Sequence, residues 1–291
     1  MVPSFATMNA PRITLPRALA AVLLLLVVAY AGAMIWLVTN ETRLIFEPGA
    51  TLGERRPSLP FEQLDVTQAE GSHTPYARMW LIRAAAKDAP WVVFLHGNAS
   101  TIASRMNILH YEQLRALGLN VMAPEYRGYG GVDGAPSEAG LAEDASRAYQ
   151  YLREHERVDP RHIVIYGWSL GSAVAVTLAS RVDEAAVILE GAPASIVDIG
   201  QRRYPYFPIR MLIRNPFESI ARIGAVGSPL LFLHSPEDTV IPIAEGRRLF
   251  EAAPPPKQFV EVSGGHVYAS EKDPRFFPAI QSFLRSQRLL P

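Results

Sequence analysis

The sequence predicts an α/β fold built on a mostly parallel sheet with helices on both faces. Three observations carry that expectation. Short continuous apolar runs recur at Trp91–Leu95, Leu119–Ala123, Ala185–Leu189 and Pro229–His234, as central strands covered on both faces require. Segments of helical length separate them. A further run, Ile163-Val164-Ile165-Tyr166, enters Gly167-Trp168-Ser169-Leu170-Gly171 and leaves as the small-residue stretch Ser172-Ala173-Val174-Ala175-Val176, a strand–turn–helix passage.

In chain order, Leu64-Asp65-Val66 and Ala77–Ile82 read as a leading hairpin. Ser104–Leu117 reads as a helix that Gly118 ends. Ser137, preceded by Pro136, is the expected N-cap of a helix reaching Glu154. The segment 192–228 is the sizeable insertion that follows the Ser169 turn, and it is expected to form a small cap. Pro254-Pro255-Pro256 makes a stiff link into the last strand, Gln258–Val262, and Pro274–Arg288 reads as a closing helix.

The N-terminus is of a different kind. Residues 18–38 are drawn only from Ala, Leu, Val, Tyr, Gly, Met, Ile and Trp. As a helix rising about 1.5 Å per residue, they are long enough to cross a hydrocarbon core of about 30 Å. Arg12 and Arg17 precede the stretch, and Glu41, Arg43, Glu47 and Glu54 follow it. The positive-inside rule then expects residues 1–17 as a cytoplasmic tail and the domain, residues 44–290, on the far side, a bacterial periplasm. A cleaved signal peptide is the alternative, since Ala29-Tyr30-Ala31 and Ala31-Gly32-Ala33 fit a small-x-small site. Against it, Met34–Val38 prolongs the apolar run beyond a usual signal core.

Composition narrows the chemistry. With 28 basic and 28 acidic residues there is no excess charge to hold a polyanion such as nucleic acid. Without cysteine there is no disulfide framework, thiol nucleophile or zinc–thiolate site. No His/Asp/Glu cluster has metal-ligand spacing, so neither metal nor cofactor is expected.

Three residues form a set. Ser169 sits in the Gly167–Gly171 pentapeptide, and a serine needs a base to become a nucleophile. Asp238 follows the strand ending at His234, and His266 follows the strand 258–262, each just past a strand's C-terminal end. In the order Ser…Asp…His, Asp238 would fix the ring of His266, and His266 would take the proton of Ser169. Glu237 is the neighbouring rival for the acid. The amide of Leu170, next after the nucleophile, is one expected oxyanion donor.

With Phe94-Leu95-His96-Gly97-Asn98-Ala99, Pro124-Glu125-Tyr126-Arg127-Gly128-Tyr129-Gly130 and Ile188-Leu189-Glu190-Gly191, the chain resembles the α/β-hydrolase superfamily. Within it, the similarity is to the Bem46-like group that includes the mammalian ABHD12, ABHD13 and ABHD17 serine hydrolases. The resemblance spans about Leu44 to Leu290 and implies an α/β-hydrolase fold with serine hydrolase activity. It also implies Asp238 rather than Glu237 as the acid, and the backbone of Asn98 as the second oxyanion donor. Two departures bear on substrate detail: Ser235 stands where the group has glycine, and Gly131-Val132 replaces a basic–serine pair.

The remaining conspicuous residues are expected to be structural. His96 and His234 each end a strand and should tie adjacent loops. His73, His110, His155 and His162 have no acid partner in register and are expected on the surface or in packing. Glu190 is expected to clamp a loop rather than serve as the acid. Within 192–228, Tyr204–Pro208 and Met211–Ile213 alternate with Arg202, Arg203, Arg210 and Arg214. They fit either an acyl groove beside an anionic headgroup or an amphipathic cap. Ester or thioester hydrolysis, possible on lipid, ranks first. A serine peptidase and an idle membrane scaffold are the alternatives.

Overall fold

The computed structural model describes residues 15–48, 51–67 and 75–291. The chain divides into two compact units, one ending at Glu41 and the other running Thr42–Pro291.

The first unit is helix α1, Leu15–Thr39. Its 25 residues extend about 37 Å, and Leu23, Leu24, Leu25 and Leu26 are each more than 60% exposed. By length and composition it is a candidate membrane span. The last turn is closed locally: the Thr39 hydroxyl donates to the Ile35 carbonyl at 2.8 Å, and the Asn40 amide to that of Trp36 at 2.9 Å. The helix starts ahead of Ala18, with Arg17 in its first turn. Arg12 lies outside the described residues.

The second unit is an eight-stranded sheet in the order β1-β2-β4-β3-β5-β6-β7-β8. The strands are β1 Glu62–Val66, β2 Ala77–Ile82, β3 Trp91–Leu95, β4 Asn120–Glu125, β5 Ile163–Trp168, β6 Ala186–Glu190, β7 Leu230–His234 and β8 Lys257–Glu261. β2 pairs antiparallel with β1 and β4, and every other pairing is parallel. Strands β3 to β7 are buried throughout, which is why they read as unbroken apolar runs.

Alternation along each strand divides the core in two. Val93, Leu95, Ile165 and Leu189 face one layer, which contains helices α4 (Glu138–Glu154) and α5 (Leu170–Ala179). Val92, Phe94, Val164 and Ile188 face the other, with α3 (Arg105–Ala116) and α11 (Phe276–Ser286). Each fully buried Val, Leu, Ile or Phe contributes about 1.5–3 kcal/mol. Ser137 caps α4 as expected, its Oγ accepting the Gly140 N–H at 3.0 Å.

Two helices depart from expectation. The closing helix begins at Phe276, because Asp273 receives the Arg275 N–H at 2.8 Å and the chain turns there. Ahead of it stands α10, Gly265–Lys272, which the sequence does not announce since it opens on Gly264 and Gly265 at φ +109° and +71°. Segment 192–228 folds into three short helices, α6 Ile196–Arg203, α7 Ile209–Leu212 and α8 Ser219–Arg222; α2 is Glu41–Ile45 and α9 Ile243–Ala252.

Candidate active site

Ser169 occupies the single residue between β5 and α5, with φ +55° and ψ −121°. A side chain rarely adopts those angles, and holding one there costs about 1–3 kcal/mol. The surroundings hold it. The Ser169 N–H donates to the Glu190 carbonyl at 2.8 Å. The Ser172 hydroxyl ties the Gly167 and Glu190 carbonyls at 2.7 and 3.0 Å. Both glycines are needed for close approach: a Cβ on Gly171 would lie 2.0 Å from the Leu95 carbonyl oxygen, and one on Gly167 2.4 Å from that of Gly171.

His266 lies in the first turn of α10, and Asp238 in the loop after β7. The structure brings these two and Ser169 into one hydrogen-bonded chain. His266 Nε2 is 2.8 Å from Ser169 Oγ, and its Nδ1 is 2.6 Å from Asp238 Oδ2. The other Asp238 oxygen accepts the Val240 and Ile241 N–H groups at 2.9 and 2.8 Å. Burial works against charge on Asp238. Hydrogen bonds from His234 and His266, the His266 charge and the Ile241 amide outweigh it, holding the carboxyl well below the usual range. An ionised Asp238 keeps the proton of His266 on Nδ1 and leaves Nε2 to accept from Ser169.

A second set of contacts joins the two loops. Ser235 Oγ accepts the Gly265 and Glu237 N–H groups at 3.0 and 3.2 Å. Glu237 Oε2 accepts the Gly264 N–H at 2.9 Å, so this rival carboxylate is spent on the backbone and not on the ring. The Trp168 indole donates to the His266 carbonyl at 3.3 Å. Gly191, at φ +55°, leaves room for the ring, since a Cβ there would stand 3.3 Å from His266 Cε1.

The loop after β3 lies against Ser169: a Cβ on Gly97 would come within 3.2 Å of the serine Cβ. The next residue, Asn98, is held by its side chain. Its Oδ1 accepts the Tyr129 hydroxyl at 2.7 Å and the Glu47 N–H at 2.9 Å, while Nδ2 donates to the Ile45 carbonyl at 2.8 Å. His96 pairs with Glu125 at 2.9 Å, and Glu125 also accepts the Ile102 N–H at 3.0 Å. Leu170 opens α5, where its amide belongs to the unsatisfied first turn.

The other histidines sort differently from expectation in one case. His96 and His234 tie loops, the latter through a 2.9 Å contact with the Ile241 carbonyl. His155 stacks on Tyr151, His162 is exposed, and His73 lies outside the described residues. His110, expected to lack an acid partner, is fully buried with Nε2 3.0 Å from Glu190 Oε2, which also accepts the Tyr166 hydroxyl at 2.7 Å. The partner lies on β6, too far along the chain for spacing to reveal. Glu190 therefore clamps, away from the His266 ring. Two of the arginines in segment 192–228 are engaged within the protein: Arg202 pairs with Glu245 at 2.9 Å, and Arg210 with Asp198 and Glu218 at 2.6 and 3.0 Å. Among the described residues there is no cluster of potential metal ligands.

A serine on a strained strand-to-helix turn, with its partners on loops at the same edge of a mostly parallel sheet, defines a class. The chain belongs to the alpha/beta hydrolase family, whose model matches residues 92–285, and it is a hydrolase. Its relatives are more particular. It is 34% identical over 276 residues to the Mycobacterium tuberculosis protein Rv2307c, covering 94% of this chain and 97% of that one. The lysophosphatidylserine lipase ABHD12 of Danio rerio is 31% identical over 253 residues, 74% of this chain and 65% of its own. The Pyrococcus furiosus esterase Pf2001 shares the fold, with a TM-score of 0.68 at 19% identity over 85% of this chain and 98% of its own.

Proposed function

We propose that this chain is a serine hydrolase that cleaves a carboxylic ester or thioester through an acyl-enzyme on Ser169. The observation that supports it is the continuous Ser169–His266–Asp238 hydrogen-bonded chain. As Oγ attacks the acyl carbon, His266 Nε2 takes its proton; returning that proton to the leaving oxygen or sulfur breaks the ester bond. A water, deprotonated by the same ring, then releases the acid. Asp238 keeps the ring oriented. The amides of Leu170 and Asn98 receive the negative charge on the carbonyl oxygen. The reaction needs no metal or cofactor.

Lipid esters are the proposed substrate class. Val240, Val267 and Tyr268, close in sequence to Asp238 and His266, are 57%, 38% and 45% exposed, and Met211 of the cap 85%. Exposed apolar side chains on the segments that carry the proposed acid and base suit an acyl chain. Lysophosphatidylserine cleavage by the ABHD12 relative supports the same class. Helix α1 would anchor the protein as a single pass, with its N-terminus cytoplasmic and the hydrolase domain in a bacterial periplasm.

The test is labelling of the membrane fraction by a fluorophosphonate, with turnover of acyl esters, acyl thioesters and aminoacyl amides. Wild-type protein labels and hydrolyses esters or thioesters; Ser169→Ala does neither. Wild-type ester turnover by Ser169→Ala removes the nucleophile assignment. Turnover of the amides alone moves the reading to a peptidase.

A further inference from the structure

The segment that leads into the hydrolase domain is hydrogen-bonded to the loop that flanks Ser169, first of all through the side chain of Asn98. The Asn98 carboxamide is fully engaged by protein groups. Three hydrogen bonds from two distant parts of the chain converge on it: the Glu47 N–H and the Tyr129 hydroxyl on Oδ1, and the Ile45 carbonyl on Nδ2. The donor and acceptor demands fix which end of the amide is which. Between those two anchor points, Phe46 is only 1% exposed and meets Phe217, itself 1% exposed, with ring centroids 5.9 Å apart. Further along, the Leu52 carbonyl accepts the Thr101 hydroxyl at 3.1 Å, so the segment is tied to the same loop twice.

That loop has reason to need holding. Ala99, next after Asn98, has φ +52°, a left-handed conformation that a side chain disfavours. Tyr129, whose hydroxyl shares Asn98 Oδ1 with the Glu47 N–H, is buried, and burial with the nearby Glu125 and Glu47 carboxylates pushes its hydroxyl far up. It therefore stays a neutral donor at every working pH.

We propose that Ile45–Glu47 is a strap belonging to the catalytic apparatus. Clasped on the Asn98 side chain and plugged by Phe46, it sets the distance between the Asn98 amide and Ser169. Phe46, Tyr129 and the Asn98 carboxamide are positioning residues. None of them touches substrate. Their effect falls on the transition state, because an amide displaced by about 1 Å forfeits roughly a hundredfold in rate while leaving ground-state binding intact. The proposal rests on Ser169 being the nucleophile and Asn98 supplying an oxyanion donor.

The full chain is assayed with a short-chain p-nitrophenyl ester as wild type, Phe46→Ala, Phe46→Leu, Tyr129→Phe and Ser169→Ala. Active sites are titrated with a fluorophosphonate, and affinity for a trifluoromethyl ketone that forms a tetrahedral adduct is measured in parallel. Phe46→Ala and Tyr129→Phe should lower kcat per active site by about tenfold or more with KM within about twofold, and weaken the ketone in proportion. Phe46→Leu should restore most of kcat. Tyr129→Phe keeps its buried ring, so it reports even where Phe46→Ala fails to fold. Wild-type kcat per titrated site in folded Phe46→Ala or Tyr129→Phe overturns the strap while leaving Ser169 as the nucleophile. Wild-type turnover by Ser169→Ala overturns both.

Discussion

Nε2 of His234 lies 3.5 Å from Asp238 Oδ2, the same oxygen that accepts His266 at 2.6 Å. One buried carboxylate is thus flanked by two imidazoles, with the Val240 and Ile241 amides on its other oxygen. Space beneath is tight, since a Cβ on Gly246 would come within 2.2 Å of His234 Nδ1. The loop is built to receive a charge at Asp238.

Substitution of the acid should separate the two carboxylates. Asp238→Asn is expected to lower kcat by about 10³-fold or more, since an amide in that place favours the wrong tautomer of His266. Glu237→Gln should lose less than about tenfold, because its remaining carbonyl oxygen still accepts the Gly264 N–H. Steady-state kinetics on both variants decide it. The reverse ranking would transfer the acid to Glu237.

The glycine after Leu170 should be far less tolerant than a glycine in open space. Gly171→Ala places a methyl 2.0 Å from one backbone oxygen and 2.6 Å from another, neither of which can rotate away. A loss of about 3 kcal/mol or more is expected from such overpacking. Gly224→Ala meets nothing within 4 Å and should stay within about 0.5 kcal/mol of wild type. Chemical denaturation of the two variants gives the comparison.

Glu184 predicts a pH dependence of stability. Burial raises its pKa to about 7, against a hydrogen bond from Ser228 at 2.6 Å, and its Oε2 is buried with no protein partner. A carboxyl raised on folding binds more protons in the native state, so stability falls as pH rises from about 4.5 to about 7 and stays lowered above. Glu184→Gln keeps the acceptor for Ser228 and removes the titration. It should match wild type near pH 4 and exceed it by about 1–3 kcal/mol at pH 8, or several degrees in Tm. Equal melting curves at pH 8 would contradict the buried neutral acid.

Removal of residues 1–39 should give a protein that stays in the soluble fraction with full kcat, since it spares the compact unit from Thr42 onward. Removal of 1–47 takes the Asn98 partners as well and should lower kcat by about tenfold or more. Fractionation and active-site-titrated kinetics read both. An N-terminus of the mature protein found near Gly32 or Met34 by intact mass would mark a cleaved signal and not an anchor.

What could be read in advance was what short-range pattern encodes. Buried strands such as Trp91–Leu95 are apolar at every position, the Ser137 cap lies beside its helix, and the Gly167–Gly171 spacing reports a close helix–strand approach. What stayed hidden depends on partners far apart. The buried His110–Glu190 pair spans 80 residues and the Asn98–Ile45 bond 53, and no periodicity relates such positions. The resemblance points to the Asn98 backbone; that its side chain bonds Ile45 and Glu47 is visible only in three dimensions. The acid that engages Arg202 of the cap, Glu245, lies beyond it on α9, 43 residues along the chain. Ser235 was the one hidden contact with a signal, as a hydroxyl where the related group has none.

The separation of Ser169 from His266, 97 residues along the chain, also sets an order in time. A ribosome releases the serine and its helix long before the strand that carries the histidine loop, and that strand, β8, pairs in the sheet with β7 alone. Domains condense as units once their last elements emerge. Until then the nascent chain presents a hydroxyl with nothing to take its proton. On the roles proposed for Ser169 and His266, the serine gains its base only after the histidine loop has been made, so the order of synthesis itself holds the hydrolase inert while the sheet is incomplete.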